Sequence, residues 1–198
     1  MKKMINVLYI VAAFLFRLFF KVFCRWEVKG RENIPEAGRL VIMANHITYL
    51  DPPIIGCISK RRIHFMAKEE LFRVPILGYL LRKIGQIPVK RGRPDRTALK
   101  QALAILEQEK VLGIFPEGTT KGHKDKLGKA KSGSILIPIE GKSPVLPVGI
   151  KFRGTKLKVS IGKVFYLDQY YDRKLSREER EEVGEYIMSK IQAELDTL

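Results

Sequence analysis

From residue 25 onward, short apolar runs rich in β-branched residues alternate with segments whose apolar residues recur at helical spacing. No other feature restricts the fold as strongly. Strand signals fall at Trp26-Glu27-Val28 and at 39–44, 62–67, 86–89, 111–115, 145–151 and 157–161. Between them, 75–84 reads as a helix closed by Gly85, and 94–108 carries Ala98, Leu99, Ala102, Leu103 and Leu106 on one face. Residues 132–140 read as a further helix. Ser176-Arg177-Glu178-Glu179 is a capping box opening a last one, with Val183, Ile187, Ile191 and Leu195 inside. Strands alternating with helices predict an α/β fold, a central mixed sheet flanked by helices. At 198 residues and 45% hydrophobic, with no repeat or long linker, one domain is expected.

Within this alternation, residues 39–44 run directly into Asn45-His46-Ile47-Thr48-Tyr49-Leu50-Asp51, and Asp51-Pro52-Pro53 reads as a helix start with Asp51 as its N-cap. His46 is thereby placed at the lip of the sheet, where α/β folds bind ligands. Asp51, across one tight connection, is within reach of the imidazole. A carboxylate on one ring nitrogen fixes the tautomer and leaves the other nitrogen as a base. The spacing equally describes a loop histidine satisfied by a helix-capping aspartate.

The charge and the N-terminus narrow the partners. Thirty-seven basic residues against 21 acidic ones give a net charge of +16, a field that favours nucleic acid, an anionic membrane surface or acidic carriers. Residues 4–23 are apolar apart from Asn6, Arg17 and Lys21, enough for a helix roughly 30 Å long. No small-residue cleavage site follows. Arg17 and Lys21 share a face, so residues 1–24 read as a membrane-associated helix in the headgroup interface with its cations snorkelling upward, ahead of a span. Docking of the helix on its own domain is the competing reading. Cys24 and Cys57 form no metal or redox pattern.

Three further stretches offer polar groups beside strand signals. Gly85-Gln86-Ile87-Pro88-Val89-Lys90-Arg91-Gly92-Arg93 ends in three cations suited to a phosphate monoester, or to solvent. Phe115-Pro116-Glu117-Gly118-Thr119-Thr120-Lys121 reads as a polar pocket wall or as a plain turn. Ser143-Pro144-Val145-Leu146-Pro147-Val148 reads as an edge strand or a wall beside a ligand. Competing motifs fail: the glycines around Lys129 break the phosphate-loop pattern, and no histidine or cysteine cluster has zinc spacing. The dense lysines of 121–131 lack interleaved aromatics, so no nucleic-acid partner is expected.

Taken in order, Asn45-His46-x4-Asp51, Gly85-x5-Arg91, Phe115-Pro116-Glu117-Gly118-Thr119 and Val145-Leu146-Pro147-Val148 resemble the four blocks of the glycerolipid acyltransferases. The likeness is greatest to the bacterial 1-acyl-sn-glycerol-3-phosphate type and covers residues 31–154. It implies a glycerol-3-phosphate acyltransferase-like fold over 25–198. It also implies acyl transfer from acyl-carrier protein or acyl-CoA to lysophosphatidic acid at the cytoplasmic face of the cell membrane, with anionic lipids as partners and no cofactor. His46 and Asp51 become the catalytic pair. Asn45, Gly85, Lys90, Arg91, Glu117, Gly118, Thr119, Thr120, Lys121 and Pro147 become substrate-binding candidates. The family's third block usually continues with arginine, whereas this chain has Thr120-Lys121, which leaves another lysophospholipid or lipid alcohol open as acceptor. A lipid hydrolase, or a non-catalytic basic module for membrane surfaces or RNA, is the remaining alternative.

Overall fold

The computed structural model describes residues 2–90, 92, 94–119 and 127–198. Seven strands form one sheet: β1 (Arg25–Lys29), β2 (Leu40–Ala44), β3 (Ile63–Lys68), β4 (Ile87–Val89), β5 (Val111–Ile114), β6 (Val145–Arg153) and β7 (Lys156–Ile161). Their order is β1-β7-β6-β2-β5-β3-β4, parallel throughout except where β6 and β7 form an antiparallel pair. The mixed sheet expected from the alternation is present. β2 is buried at every position, as a central strand covered on both faces must be.

Among the described residues the α-helices are α1 (Lys2–Phe23), α2 (Asp51–Ile58), α3 (Pro75–Lys83), α4 (Arg96–Glu107), α5 (Ser132–Glu140) and α6 (Arg177–Asp196). On one face, Ala102 and Leu106 of α4, Ile137 of α5 and Val183, Ile187 and Ile191 of α6 pack against Val41, Met43 and Leu112 of the sheet. On the other, Phe20 of α1 and Ile54, Ile55 and Ile58 of α2 pack against Ile42, Ile63 and Val148. The crossovers from β2 to β3 and from β3 to β4 run in one direction across the sheet, and the right-handedness general to parallel connections places α3 on the face of α2.

Residues 143–148 depart from the expected edge strand. Val145 opens β6, which is an interior strand with Pro147 paired to Met43 of β2. The proline is tolerated because β7 begins to pair only at Ile161, opposite Val148; the missing N–H of Pro147 falls beyond the end of that ladder. The Pro147 carbonyl accepts from Gly162 N at 2.9 Å.

The N-terminal helix forms as expected, but Arg17 does not snorkel. Its guanidinium turns onto the last turn of α2, donating to the carbonyls of Cys57 (2.8 Å) and Ser59 (3.2 Å). A cation there satisfies orphan carbonyls and complements the helix dipole. Ile63 N donates to the Tyr9 hydroxyl at 3.3 Å, and Phe20 is fully buried. One stripe of α1 is therefore docked on the domain, while Val7, Ile10, Val11, Phe14, Leu15, Leu18 and Val22 remain exposed on the rest. Among the described residues no helix is long and apolar enough to cross a membrane.

Removing the Arg17 cap leaves two carbonyls to water and loosens α1 from α2. Arg17→Ala is expected to lower stability in urea unfolding by about 1 kcal/mol, with Lys21→Ala unchanged. Equal effects would mean that Arg17 acts only through surface charge.

Candidate active site

The site forms where β2 ends. Asn45, one residue beyond the strand, continues the ladder with its side chain: Nδ2 donates to Ile150 O at 2.9 Å, and Oδ1 accepts from Ile150 N at 2.7 Å. The amide is thus turned into β6 rather than toward the substrate side expected of it, and is 3% exposed. With pairing handed to a side chain, the backbone can leave the sheet and carry His46 over its lip.

Asp51 is the first residue of α2, with Leu50 rather than Asp51 as the N-cap. Its carboxylate turns back over the connecting loop instead of capping the helix. Oδ2 accepts from Ile47 N (2.7 Å) and Thr48 N (2.8 Å) and lies 2.7 Å from His46 Nδ1; Oδ1 accepts from the Thr48 hydroxyl at 2.9 Å. Asp51 is fully buried, and the His46 side chain is 10% exposed. A buried carboxylate requires such a full set of donors. With Nδ1–H directed at Asp51, Nε2 is the nitrogen left to accept a proton. The imidazole is further held by stacking on Phe115, with centroids 4.1 Å apart and planes 17° apart, and Phe115 stacks on Phe65 at 5.9 Å. Gly113 makes room for this column, since a Cβ there would stand 2.3 Å from the Phe65 ring.

Glu117, just after β5, has a role the spacing did not reveal. Its carboxylate is buried and accepts from two backbone amides, His46 N at 3.3 Å and Gly128 N at 2.9 Å. It clamps the loop of His46 to the segment entering α5. The adjoining turn closes through Gly118 N to Phe115 O (3.0 Å), with Gly118 at φ +66°, and Lys131 N donates to Pro116 O (2.9 Å). Thr119 follows and is partly buried.

The other candidates divide between the two ends of the sheet. Lys90 is exposed at the end of β4, on the same lip as His46, because β2, β5, β3 and β4 are parallel. Three strand spacings separate β4 from β2, about 14 Å. Asp95 fixes the end of β4: it accepts from Lys90 N (2.9 Å) and caps α4 through Thr97 N and Ala98 N. Those amides, Lys90's first, hold its carboxyl below the usual range. Gly85, expected to bind substrate, lies at the opposite end of the sheet from His46. Its φ of +69° closes α3, its carbonyl meets His64 Nδ1 at 2.7 Å, and any Cβ would strike Arg62 and His64. Pro147 lies inside the sheet, paired with Met43 one residue before the end of β2. Arg91, Thr120 and Lys121 lie outside the described residues.

Among the described residues no group of three or more His, Cys, Asp or Glu is placed to hold a metal ion. Cys57, on α2, is fully buried, and desolvation pushes its thiol up to about 11, so it stays protonated and unreactive at neutral pH. Phe65, Phe115, Thr48 and Asp95 were not legible as site residues, although Thr48 and Phe115 lie inside the blocks.

Asp51→Ala strands the half-buried amides of Ile47 and Thr48, the Thr48 hydroxyl and the imidazole. Urea unfolding of this variant is expected to show a loss of about 2–3 kcal/mol; a loss below about 0.5 kcal/mol would contradict the hydrogen-bond set described.

The chain is similar to proteins of known type. It is 32% identical over 146 residues to the 1-acyl-sn-glycerol-3-phosphate acyltransferase of Bacillus subtilis, covering 69% of this chain and 72% of that one. The 1-acyl-sn-glycerol-3-phosphate acyltransferase of Borreliella burgdorferi is 34% identical over 124 residues, 61% of this chain and 49% of its own length. The crystal structure of the 1-acyl-sn-glycerophosphate (LPA) acyltransferase PlsC from Thermotoga maritima superposes with a TM-score of 0.75 at 25% identity, covering 97% of this chain and 81% of that one. A family model described as Acyltransferase matches residues 25–151, the span that runs from β1 into β6 and carries every residue placed at the lip. The chain belongs to the Acyltransferase family.

Proposed function

We propose that the chain transfers a fatty acyl group from an acyl thioester, on acyl-carrier protein or coenzyme A, to the sn-2 hydroxyl of 1-acyl-glycerol 3-phosphate, giving phosphatidic acid. The observation that carries this reading is the buried Asp51 carboxylate 2.7 Å from His46 Nδ1 at the sheet lip, in a chain of this family. His46 Nε2 takes the proton from the acceptor hydroxyl as its oxygen attacks the thioester carbonyl. The carbon–sulfur bond then breaks and the thiolate leaves, receiving that proton. Asp51 orients the ring and balances the imidazolium that forms. Transfer is direct, and no acyl-enzyme is formed.

Arg91, with Lys90 beside it and Lys121 beyond the third block, supplies the cations for the acceptor phosphate. Glu117 acts by holding the His46 and Gly128 amides rather than by touching substrate. The amides of His46, Ile47, Thr48 and Leu50 are already engaged by Glu117, Asp51 and the Thr48 hydroxyl. They are therefore not the donors that stabilise the carbonyl oxygen, and Pro147 has no N–H to offer. The exposed apolar side of α1 seats in the cytoplasmic face of the cell membrane, where a lysophosphatidate resides, and the charge of +16 attracts anionic lipids and acidic donors.

The test is product formation with labelled acyl thioester and lysophosphatidate, glycerol 3-phosphate, lysophosphatidylcholine or no acceptor. Phosphatidate from lysophosphatidate alone is expected, with His46→Ala lowering turnover by about 10^2 to 10^4-fold at unchanged lipid binding. Near-normal turnover in the variant would overturn the mechanism, and fatty acid released without acceptor would make the protein a hydrolase. Glu117→Gln keeps one amide bond and loses the other. It is expected to lower kcat by about tenfold with little change in the KM for lysophosphatidate, whereas a rise in KM alone would make Glu117 a substrate contact.

A further inference from the structure

Exposed apolar side chains are distributed unevenly over this protein. Beyond α1, the large ones are Val74, Ile76, Leu77, Tyr79 and Leu80, together with Tyr49 beside the catalytic loop, Tyr166 and Tyr186. Five of these belong to α3 or immediately precede it. In this nine-residue helix the only buried residue is Gly78. Gly78 lies against the backbone of Phe72, where a Cβ would come within 2.1 Å of the carbonyl oxygen. Arg82, one turn later, donates to that same carbonyl at 2.7 Å. The helix is therefore pinned through a glycine and one guanidinium, while Ile76 stands 78% exposed and Tyr79 57%. A short helix gains stability from burying an apolar face, and here that face is turned outward.

Cations border it. Lys83 Nζ lies 5.4 Å above the Tyr79 ring, and the Arg73 side chain is 74% exposed. The acidic residues of the preceding turn are answered locally, Glu69 by Arg73 at 3.8 Å and Glu70 by Lys68 at 3.3 Å. Aliphatic side chains flanked by a tyrosine and cations, on a chain of net charge +16, match the chemistry of an anionic bilayer interface. α3 also shares a sheet face with α2, on which α1 is docked, and follows directly from the turn at the end of β3, on the lip of His46.

We propose that α3, with Val74 ahead of it, is a second lipid-surface contact that seats in the interface of an anionic bilayer on the same side as α1. This rests on the reading of the chain as acting at a membrane surface. Two contacts on one face hold the lip at a defined height above the leaflet, where one helix would leave the domain free to tilt.

The test uses the full chain with phosphatidylglycerol-containing vesicles and compares Ile76→Asp, Tyr79→Ser and, on α1, Ile10→Asp. All three positions are exposed, so unchanged circular dichroism and thermal unfolding serve as the folding control. Ile76→Asp and Tyr79→Ser are each expected to weaken vesicle sedimentation by about tenfold. Turnover of lysophosphatidate in vesicles should fall with it, and turnover of a monodisperse short-chain acceptor should stay at the wild-type rate. If Ile10→Asp releases the protein while both α3 variants bind as wild type, α3 is not a contact and the membrane reading stands. If the unaltered chain fails to sediment, that reading fails and this proposal fails with it. Loss of turnover only with an acyl-carrier-protein donor, at unchanged sedimentation, would assign the face to an acidic protein and overturn the proposal.

Discussion

A carboxylate removed completely from water is the constraint around which the lip of this sheet is built. Asp51 is fully buried and survives as an acceptor because the loop it follows surrounds it with donors: two backbone amides, one hydroxyl and the Nδ1 of His46. Each of these bonds serves two ends. The amides order the β2–α2 connection, and the bond to imidazole sets the tautomer that leaves Nε2 for chemistry. In the proposed mechanism structure and function therefore share one interaction, and a change at Asp51 acts on both.

Around that core lies a set of contacts that hold His46 and its loop in place. Asn45 replaces a backbone pair so that the chain can leave the sheet, Phe115 covers one face of the ring, and Glu117 holds the His46 amide while tethering Gly128. The Glu117 bridge joins the C-terminal ends of β2 and β5, neighbours in the sheet, to the entry of α5. Rigidity at the base and a polar rim around it follow from the same few buried acceptors.

Much of this was legible in the sequence where the signal is local. The alternation of strand and helix, Gly85 as a helix terminator, and His46 with Asp51 each follow from short-range pattern. What stayed hidden depends on partners distant along the chain. Arg17 reads as a snorkelling cation because its acceptors, the last carbonyls of α2, leave no trace near it. Glu117 reads as a pocket wall because backbone amides carry no side-chain signature. Gly85 and Lys90 read as one block, yet β4 runs between them and puts them at opposite ends of the sheet. Pro147 signals an edge strand, and the short reach of β7 lets it sit in the interior.

In the proposed reaction His46 activates the acceptor directly, with no acyl group passing through the protein. The most direct measurement is rapid-mixing of enzyme with labelled acyl thioester, with and without lysophosphatidate, followed by intact-protein mass spectrometry. Direct transfer predicts thiol release only when the acceptor is present, with no mass increase on the protein at any time. A stoichiometric burst of thiol without acceptor, matched by an acyl adduct on the chain, would contradict it and require a nucleophile in place of the base.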